Sequence, residues 1–294
     1  MKLLVIGGSG LVGSHFLAEA KNRGIAALGT YRSHPAVDLV PLDLATPGAA
    51  AALIDIWKPS IVVHSAGWTW VDGCEKDPVR AMRENAEQPA NLAQLCADRG
   101  IRIVYVSTSY VFDGKVGPYS ETDIPRPINA YGRSKYAGEQ AVMAIAGPLA
   151  LIPRVICVWG KEMQGKNFVY QVLAAVREEK PMRIPSDQCG NPTWAGDICA
   201  LVLDLLQAKE SGIWHLGSEF PEWTREQWLL SLLCGLKARA EYAPMLEAWK
   251  YTSILTAVVG QTALRPLRAG LKIDRIRERF PRILRHPSDI SCLF

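Results

Sequence analysis

Residues 3–13 read Leu3-Leu4-Val5-Ile6-Gly7-Gly8-Ser9-Gly10-Leu11-Val12-Gly13. The apolar run predicts a buried strand, and the glycines after it predict a tight turn into a helix over Leu11–Asn22. Gly7 permits the turn, Gly10 lets backbone amides approach a phosphate, and Gly13 lets the helix pack on the strand. Because the N-terminus of a helix attracts anions, the stretch predicts a site for the pyrophosphate of a dinucleotide.

Strands and helices alternate through the first half of the chain. Candidate strands are Lys2–Ile6, Ile25–Thr30, Leu39–Pro41, Ile61–His64, Ile101–Val106 and Leu149–Arg154. Candidate helices are Leu11–Asn22, Gly48–Trp57, Val79–Arg99 and Ala130–Ile145. This alternation predicts the α/β class, a doubly wound parallel Rossmann sheet that binds ligands at the carboxyl ends of its strands.

The pattern loosens after Trp159, where a stretch rich in glycine and proline precedes a helix at Ala195–Gln207. We expect residues 1–158, with about 193–212, to form the NAD(P)-binding domain. Residues from about 159 to 192, with 213–294, would form a smaller, mostly C-terminal substrate-binding lobe.

Composition narrows the classes of function. A net charge of +4 on 294 residues is too small to predict nucleic-acid binding. No apolar stretch approaches the roughly 18 residues of a membrane helix, and the N-terminal run lacks the layout of a signal peptide. The seven cysteines are scattered without a Cys-x-x-Cys pair. We therefore expect a cytoplasmic protein with reduced thiols and with no metal, membrane or nucleic-acid partner.

The end of the second strand bears on the choice of cofactor. Proteins that bind NAD place an acidic residue there, whereas this chain reads Gly29-Thr30-Tyr31-Arg32-Ser33. Arg32 could contact the 2′-phosphate of NADPH or could be an exposed loop arginine. We expect NADPH, with NADH as the alternative. Asp43 could receive the adenine amino group or cap the helix that follows it.

Tyr131 and Lys135 are four residues apart, which places them on one face of a predicted helix. A phenol has an ordinary pKa of about 10, so proton transfer near neutrality calls for a neighbouring cation, which Lys135 can supply. Such pairs also occur by chance on solvated helix faces. Here, however, Ser107–Gly114 ends a predicted strand with hydroxyls that can bond a substrate carbonyl.

This combination resembles the extended short-chain dehydrogenase/reductase family, and in particular its dTDP-4-dehydrorhamnose reductase branch. The likeness covers nearly the whole chain and is clearest between residues 60 and 200. The segments that carry it are His64–Asp72, Asn85, Asn91–Ala93, Tyr110–Gly114, Tyr131–Lys135, Gly165–Phe168, Asp187–Thr193 and Arg265–Leu271.

The resemblance implies roles for individual residues. Tyr131 would protonate the developing alkoxide, Lys135 would assist it electrostatically, and Thr108 would fix the carbonyl. The residues expected at the cofactor are Gly7, Gly10, Leu11, Val12, Gly13, Arg32, Asp43, Leu44, Ala66 and Gly67, with Tyr131 and Lys135. Those expected at the substrate are Trp68, Val71, Ser109, Asn167 and Arg265, while Asn85 would support the rim of the sheet.

The implied reaction is reduction of the C4 carbonyl of a nucleotide-linked 4-keto-6-deoxy sugar, in deoxysugar or polysaccharide synthesis, by an enzyme that could form a homodimer. One alternative is an epimerase or dehydratase of the same fold, which would regenerate its cofactor. Another is a non-catalytic, NADP-binding regulatory subunit resembling the beta subunit of methionine adenosyltransferase.

Two positions depart from the family pattern. Ser109 stands where aspartate is common, and Cys157 stands where a tryptophan often lies beside the nucleotide base. Loss of that aromatic surface could change the nucleotide preference. Trp68 could reshape the sugar pocket or pack between the lobes. Arg265 could clamp a diphosphate or belong to the solvated basic segment at residues 265–285.

Overall fold

The computed structural model describes residues 1–293, which form fourteen strands and eleven α-helices. The strands are β1 Lys2–Ile6, β2 Ala26–Tyr31, β3 Leu39–Pro41, β4 Ile61–His64, β5 Arg102–Tyr105, β6 Ser107–Thr108, β7 Ala150–Val155, β8 Val158–Trp159, β9 Met182–Pro185, β10 Cys189–Gly190, β11 Thr193–Trp194, β12 Gly212–His215, β13 Trp223–Thr224 and β14 Tyr251–Ile254. The helices are α1 Leu11–Asn22, α2 Ala49–Trp57, α3 Val71–Lys76, α4 Pro78–Met82, α5 Gln88–Ala97, α6 Ala130–Ala146, α7 Phe168–Arg177, α8 Ala195–Gln207, α9 Arg225–Lys237, α10 Ala243–Ala248 and α11 Asp274–Arg279.

The central sheet is parallel throughout, which confirms the predicted α/β fold class. Its order is β12-β7-β5-β4-β1-β2-β3, and β6 continues beside β7. Successive side chains of β1 point to opposite faces. Leu3 and Val5 pack with α1 and α8, and Leu4 and Ile6 pack with α2, α5 and α6. Helices therefore cover both faces, and the strand ends form one common rim.

The predicted helix over Val79–Arg99 is wrong as a single element. It is interrupted by a π-helical turn at Arg83–Glu87. Pro89 has no amide hydrogen and cannot donate to the carbonyl four residues earlier, that of Asn85. The Tyr105 hydroxyl donates to this carbonyl instead, at 2.5 Å. The interruption thus anchors the helix to β5 just below the rim.

A second hydrophobic cluster is built from residues after 156, around the buried indoles of Trp159 and Trp228. The last strand of the main sheet, β12, lies at the expected boundary near residue 212. The division into a cofactor domain and a substrate lobe remains a prediction. Within residues 1–293, none of the helices has the length and apolar character needed to cross a membrane.

Candidate functional site

The glycine-rich turn between β1 and α1 brings backbone very close to backbone. A Cβ added at Gly13 would collide with the Gly7 carbonyl oxygen and would lie 2.8 Å from Ser65 Oγ. Gly7 itself has φ +86°, which favours glycine. Gly10 is the N-cap of α1 and provides no side-chain cap. The first amides of the helix, beginning at Leu11, therefore remain available, which fits the pyrophosphate of a dinucleotide.

The loop after β4 closes over this turn. A Cβ at Gly7 would lie 2.9 Å from the Ala66 nitrogen, so Ala66 and Gly67 border the same groove. Asn85 holds the loop, because its Oδ1 accepts from the Trp68 amide at 2.9 Å and its Nδ2 donates to the Trp68 carbonyl at 3.0 Å. This is the support that the resemblance implied for Asn85.

Arg32 and Asp43 follow the neighbouring parallel strands β2 and β3, so both lie at the same rim. Arg32 is half exposed, and its guanidinium lies 3.2 Å from the buried Glu84 carboxylate. The Asp43 side chain accepts from the Ala45 amide, and α2 begins after Gly48, so Asp43 does not cap that helix. The next residue, Leu44, packs at the edge of the apolar cluster beneath the sheet.

Tyr131 and Thr108 meet directly. Tyr131 lies in the first turn of α6, whose N-cap Asn129 accepts from the Gly132 amide at 2.8 Å. The Tyr131 phenol lies close enough to the Thr108 hydroxyl on β6 for that hydroxyl to lower its pKa, and its ring packs edge-on against Tyr110 at 5.7 Å. One turn along α6, Lys135 Nζ donates to the Val106 carbonyl at 2.7 Å. The three predicted catalytic side chains are thus brought together at the rim.

Burial shifts the pKa values of Tyr131 and Lys135. Desolvation raises the pKa of Tyr131 well above its usual range, against the lowering effect of the Thr108 hydroxyl. Desolvation also lowers the pKa of Lys135 to about 7, against the raising effect of Glu139. The Lys135 ammonium donates to the Val106 carbonyl and lies 3.8 Å from the centre of the Tyr105 ring, so burial dominates the pKa of Tyr131 in this structure. Tyr131 is therefore held as a protonated phenol, the form that donates a proton.

Two of the expected substrate residues lie against this centre. Trp68 and Val71 pack on the cluster that contains Tyr131. The guanidinium of Arg80 covers the Trp68 ring at 4.1 Å. Because Arg80 also donates to Glu84 at 2.7 Å, the indole is tied to the carboxylate that holds Arg32.

Of the other expected substrate residues, Ser109 is buried, and Asn167 and Arg265 are bonded to protein groups. Ser109 is fully buried, and its hydroxyl has no protein partner. Asn167 caps α7 and donates to the Gly160 carbonyl at 2.9 Å. Arg265 pairs with Asp72 at 2.9 Å.

A cavity of about 70 Å³ opens beside the Tyr110 ring. Its walls come from the rim of the sheet and from later residues: Tyr110, Ile156, Cys157, Gln188, Cys189, Pro192, Trp223, Thr224, Arg225, Trp228 and Pro266. Cys157, one of the two departures from the family pattern, therefore lies on the cavity wall. Because Tyr110 also contacts Tyr131, the cavity adjoins the proton-transfer centre.

Sequence reasoning missed a buried ion pair beneath the centre. Glu139 and Arg154, each 2% exposed, are joined by two hydrogen bonds of 2.9 and 2.6 Å. Glu139 follows Lys135 by four residues, and this spacing was the available signal. No cluster of three or more His, Cys, Asp or Glu side chains that could hold a metal is found among residues 1–293.

Comparison with known proteins gives consistent results. The family model for the RmlD substrate binding domain matches residues 1–286. A dTDP-4-dehydrorhamnose reductase of Burkholderia thailandensis is 33% identical over 295 residues, covering 95% of this chain and 93% of that protein. A probable low-salt glycan biosynthesis reductase of Haloferax volcanii is 36% identical over 226 residues, covering 74% and 75%. The crystal structure of a dTDP-4-dehydrorhamnose reductase of Clostridium acetobutylicum superposes with a TM-score of 0.84 at 26% identity, covering 98% and 96%.

Proposed function

The chain belongs to the RmlD substrate binding domain family, and from that membership we propose that it is a reductase of nucleotide-linked 4-keto-6-deoxy sugars. NADPH would serve as the reductant, and the C4 carbonyl would become a hydroxyl. The names of the similar reductases support this reaction. The single observation that carries it is the close approach of the Tyr131 phenol to the Thr108 hydroxyl at the rim, one helical turn from Lys135.

Each member of this group has a separate task in the proposed reaction. The cofactor supplies hydride when it is bound. Thr108 orients the carbonyl oxygen by hydrogen bonding, and Tyr131 donates its proton to that oxygen as negative charge develops. Burial keeps Tyr131 protonated and also strengthens the effect of the nearby Lys135 charge.

We assign the cofactor to the groove lined by Gly7, Gly10, Gly13, Ala66 and Gly67, with Arg32 at its adenosine end. Arg32 keeps donors beyond its Glu84 contact, so it can pair with a 2′-phosphate. The preference for NADPH over NADH therefore depends on Arg32.

We assign the nucleotide end of the substrate to the mouth of the cavity beside Tyr110, whose volume of about 70 Å³ holds only part of a nucleotide. Trp223 offers an aromatic face for a base, and Arg225 and Gln188 offer donors for oxygen atoms. The sugar would then extend toward Tyr131. A homodimer and a cytoplasmic location are further parts of the proposal, which analytical ultracentrifugation and fractionation of the source cells would test.

The test is oxidation of NADPH, followed by absorbance, with dTDP-4-dehydro-6-deoxy-L-mannose generated in situ. Tyr131→Phe should abolish turnover and leave cofactor affinity nearly unchanged, since only a hydroxyl is removed. Tyr136→Phe on the same helix is the matched control and should retain activity. Unchanged turnover in Tyr131→Phe would refute the assigned role. Conversion of the sugar without net NADPH oxidation would instead indicate an epimerase or dehydratase.

A further inference from the structure

A buried carboxylate joins the two segments that carry the proton-transfer group. Glu139 Oε1 accepts from the Ser107 hydroxyl at 2.5 Å and from Arg154 Nε at 2.9 Å. Ser107 directly precedes Thr108 on β6, and Glu139 lies one turn after Lys135 on α6. The Ser107–Glu139 hydrogen bond therefore joins β6 to α6. It lies one residue from Thr108 and one helical turn from Lys135.

The bridge continues into the rest of the sheet. Ser107 and Arg154 are neighbours in the β6–β7 register, so the guanidinium and the hydroxyl reach Glu139 from adjacent strands. Arg154 lies 5.1 Å from the centre of the Phe112 ring and 3.5 Å from His215 Nε2 on β12. The carboxylate is thus held on several sides and has little freedom to move.

Burial of such a pair is not explained by stability alone. The desolvation of two buried charges largely offsets their attraction, and apolar replacements are often as stable. What an ion pair with directed hydrogen bonds adds is geometry, because each bond restricts distance and angle. Proton transfer and carbonyl orientation are the steps that depend on such restriction.

We propose that Ser107 and Glu139 are positioning residues, which hold Thr108 on β6 in register with Tyr131 and Lys135 on α6. The proposal rests on the proposed function, because it assumes that these three side chains carry out the reduction. Neither positioning residue touches the substrate. Arg154 completes the arrangement by neutralising and orienting the carboxylate.

The arrangement around Glu139 also affects the pKa of Lys135, because charged and titratable groups face Lys135 from several elements. Glu139 on its own helix raises the pKa of Lys135 against the lowering effect of burial. From β4, His64 faces it as a neutral imidazole, because burial and the Lys135 charge lower the pKa of His64 to about 3. From β5 it meets the Tyr105 ring, and burial raises the pKa of that phenol. Arg154, on β7, offsets part of the Glu139 charge.

The first experiment removes only the bridging hydroxyl. Ser107→Ala leaves the Glu139–Arg154 pair intact and should lower kcat about tenfold, since a misplacement of about 1 Å can cost about a hundredfold. The KM values for NADPH and sugar should change less than about twofold. Ser60→Ala, which removes a hydroxyl bonded to Lys2 before β4, should leave kcat unchanged. Wild-type kcat in Ser107→Ala, or a change confined to KM, would overturn the proposal.

The second experiment needs no turnover. In protein labelled with ¹³C-lysine, the Lys135 side-chain resonance is assigned by its absence in Lys135→Arg. Ser107→Ala should displace this resonance, and Ser60→Ala should not. Glu139→Gln should lower the pH at which Lys135 titrates by about one unit. An unmoved resonance in Ser107→Ala would overturn the positioning role even if Glu139→Gln fails to fold.

The two experiments separate the two proposals. Suppose that the wild-type protein turns over, that Tyr131→Phe does not, and that Ser107→Ala retains full turnover. This result would support the reductase and refute the positioning role. Absence of wild-type turnover on any keto sugar would refute the reductase, and a displaced Lys135 resonance in Ser107→Ala would then show only that Ser107 fixes the geometry of this group.

Discussion

Replacement of Lys135 by methionine should stabilise the protein while it abolishes reduction. Lys135 is 4% exposed, and burial lowers its pKa from 10.5 to about 7. Folding at neutral pH therefore either buries a charge or removes a proton, and both cost free energy. Methionine has a similar length and carries no charge, so the variant avoids this cost and loses the cation that the reaction uses.

The magnitude follows from the pKa shift and the contacts that are lost. The difference between 10.5 and about 7 corresponds to about 5 kcal/mol, at about 1.36 kcal/mol per pKa unit. The variant also loses the 2.7 Å bond to the Val106 carbonyl and the contact with the Tyr105 ring. This loss lowers the free energy of unfolding by about 2–3 kcal/mol. The net gain in the free energy of unfolding near pH 7 should be about 2 kcal/mol.

The gain should depend on pH with a definite sign. Because the pKa of Lys135 is lower in the folded protein, the unfolded chain binds more protons between about pH 7 and pH 10.5. The free-energy cost of burying Lys135 is therefore absent above about pH 10.5. It grows as the pH falls, and it is complete once the pH has fallen through about 7. The advantage of Lys135→Met should be largest near neutrality and should shrink toward pH 10.

Equilibrium urea unfolding of the cofactor-free protein, followed by tryptophan fluorescence from pH 6.5 to 9.5, measures this advantage. Lys237→Met is the control, because Lys237 is exposed at the end of α9 and its replacement should change stability by less than about 0.5 kcal/mol. A Lys135→Met protein less stable than wild type at pH 7, or an advantage that does not vary with pH, would refute the reasoning.

Three other changes test separate parts of the structure. Arg32→Ala should raise KM for NADPH about tenfold or more and leave that for NADH nearly unchanged; equal effects on both cofactors would remove Arg32 from the phosphate site. Gly13→Ala should weaken NADPH binding in a fluorescence titration, because its Cβ meets the Gly7 carbonyl; wild-type affinity would argue against a tight turn there. Glu139→Ala should lower the free energy of unfolding by about 3–5 kcal/mol, since Arg154 is left buried without its partner; a loss below about 1 kcal/mol in urea denaturation would mean that water reaches the site.

The structure matches the sequence prediction most closely where residues near one another in the chain determine the local fold. The boundaries of β1 and α1 match the prediction to the residue, because an apolar run and a glycine turn specify them locally. The helical spacing that brings Tyr131 and Lys135 to one face is likewise local. The interruption at Arg83–Glu87 was missed because it depends on Pro89 together with Tyr105, a residue sixteen positions later on another strand.

The sequence by itself determined the class of fold, the order of the glycine turn, the strand-end hydroxyl and the Tyr-x-x-x-Lys pair, and the resemblance to one family of reductases. Periodicity and glycine chemistry act over a few residues, so they can be recognised without coordinates. Only the tertiary structure decided which partners the charges take: Lys135 bonds Val106, and Glu139 joins Ser107 to Arg154. Those choices depend on desolvation and on distances between strands, which no local pattern contains.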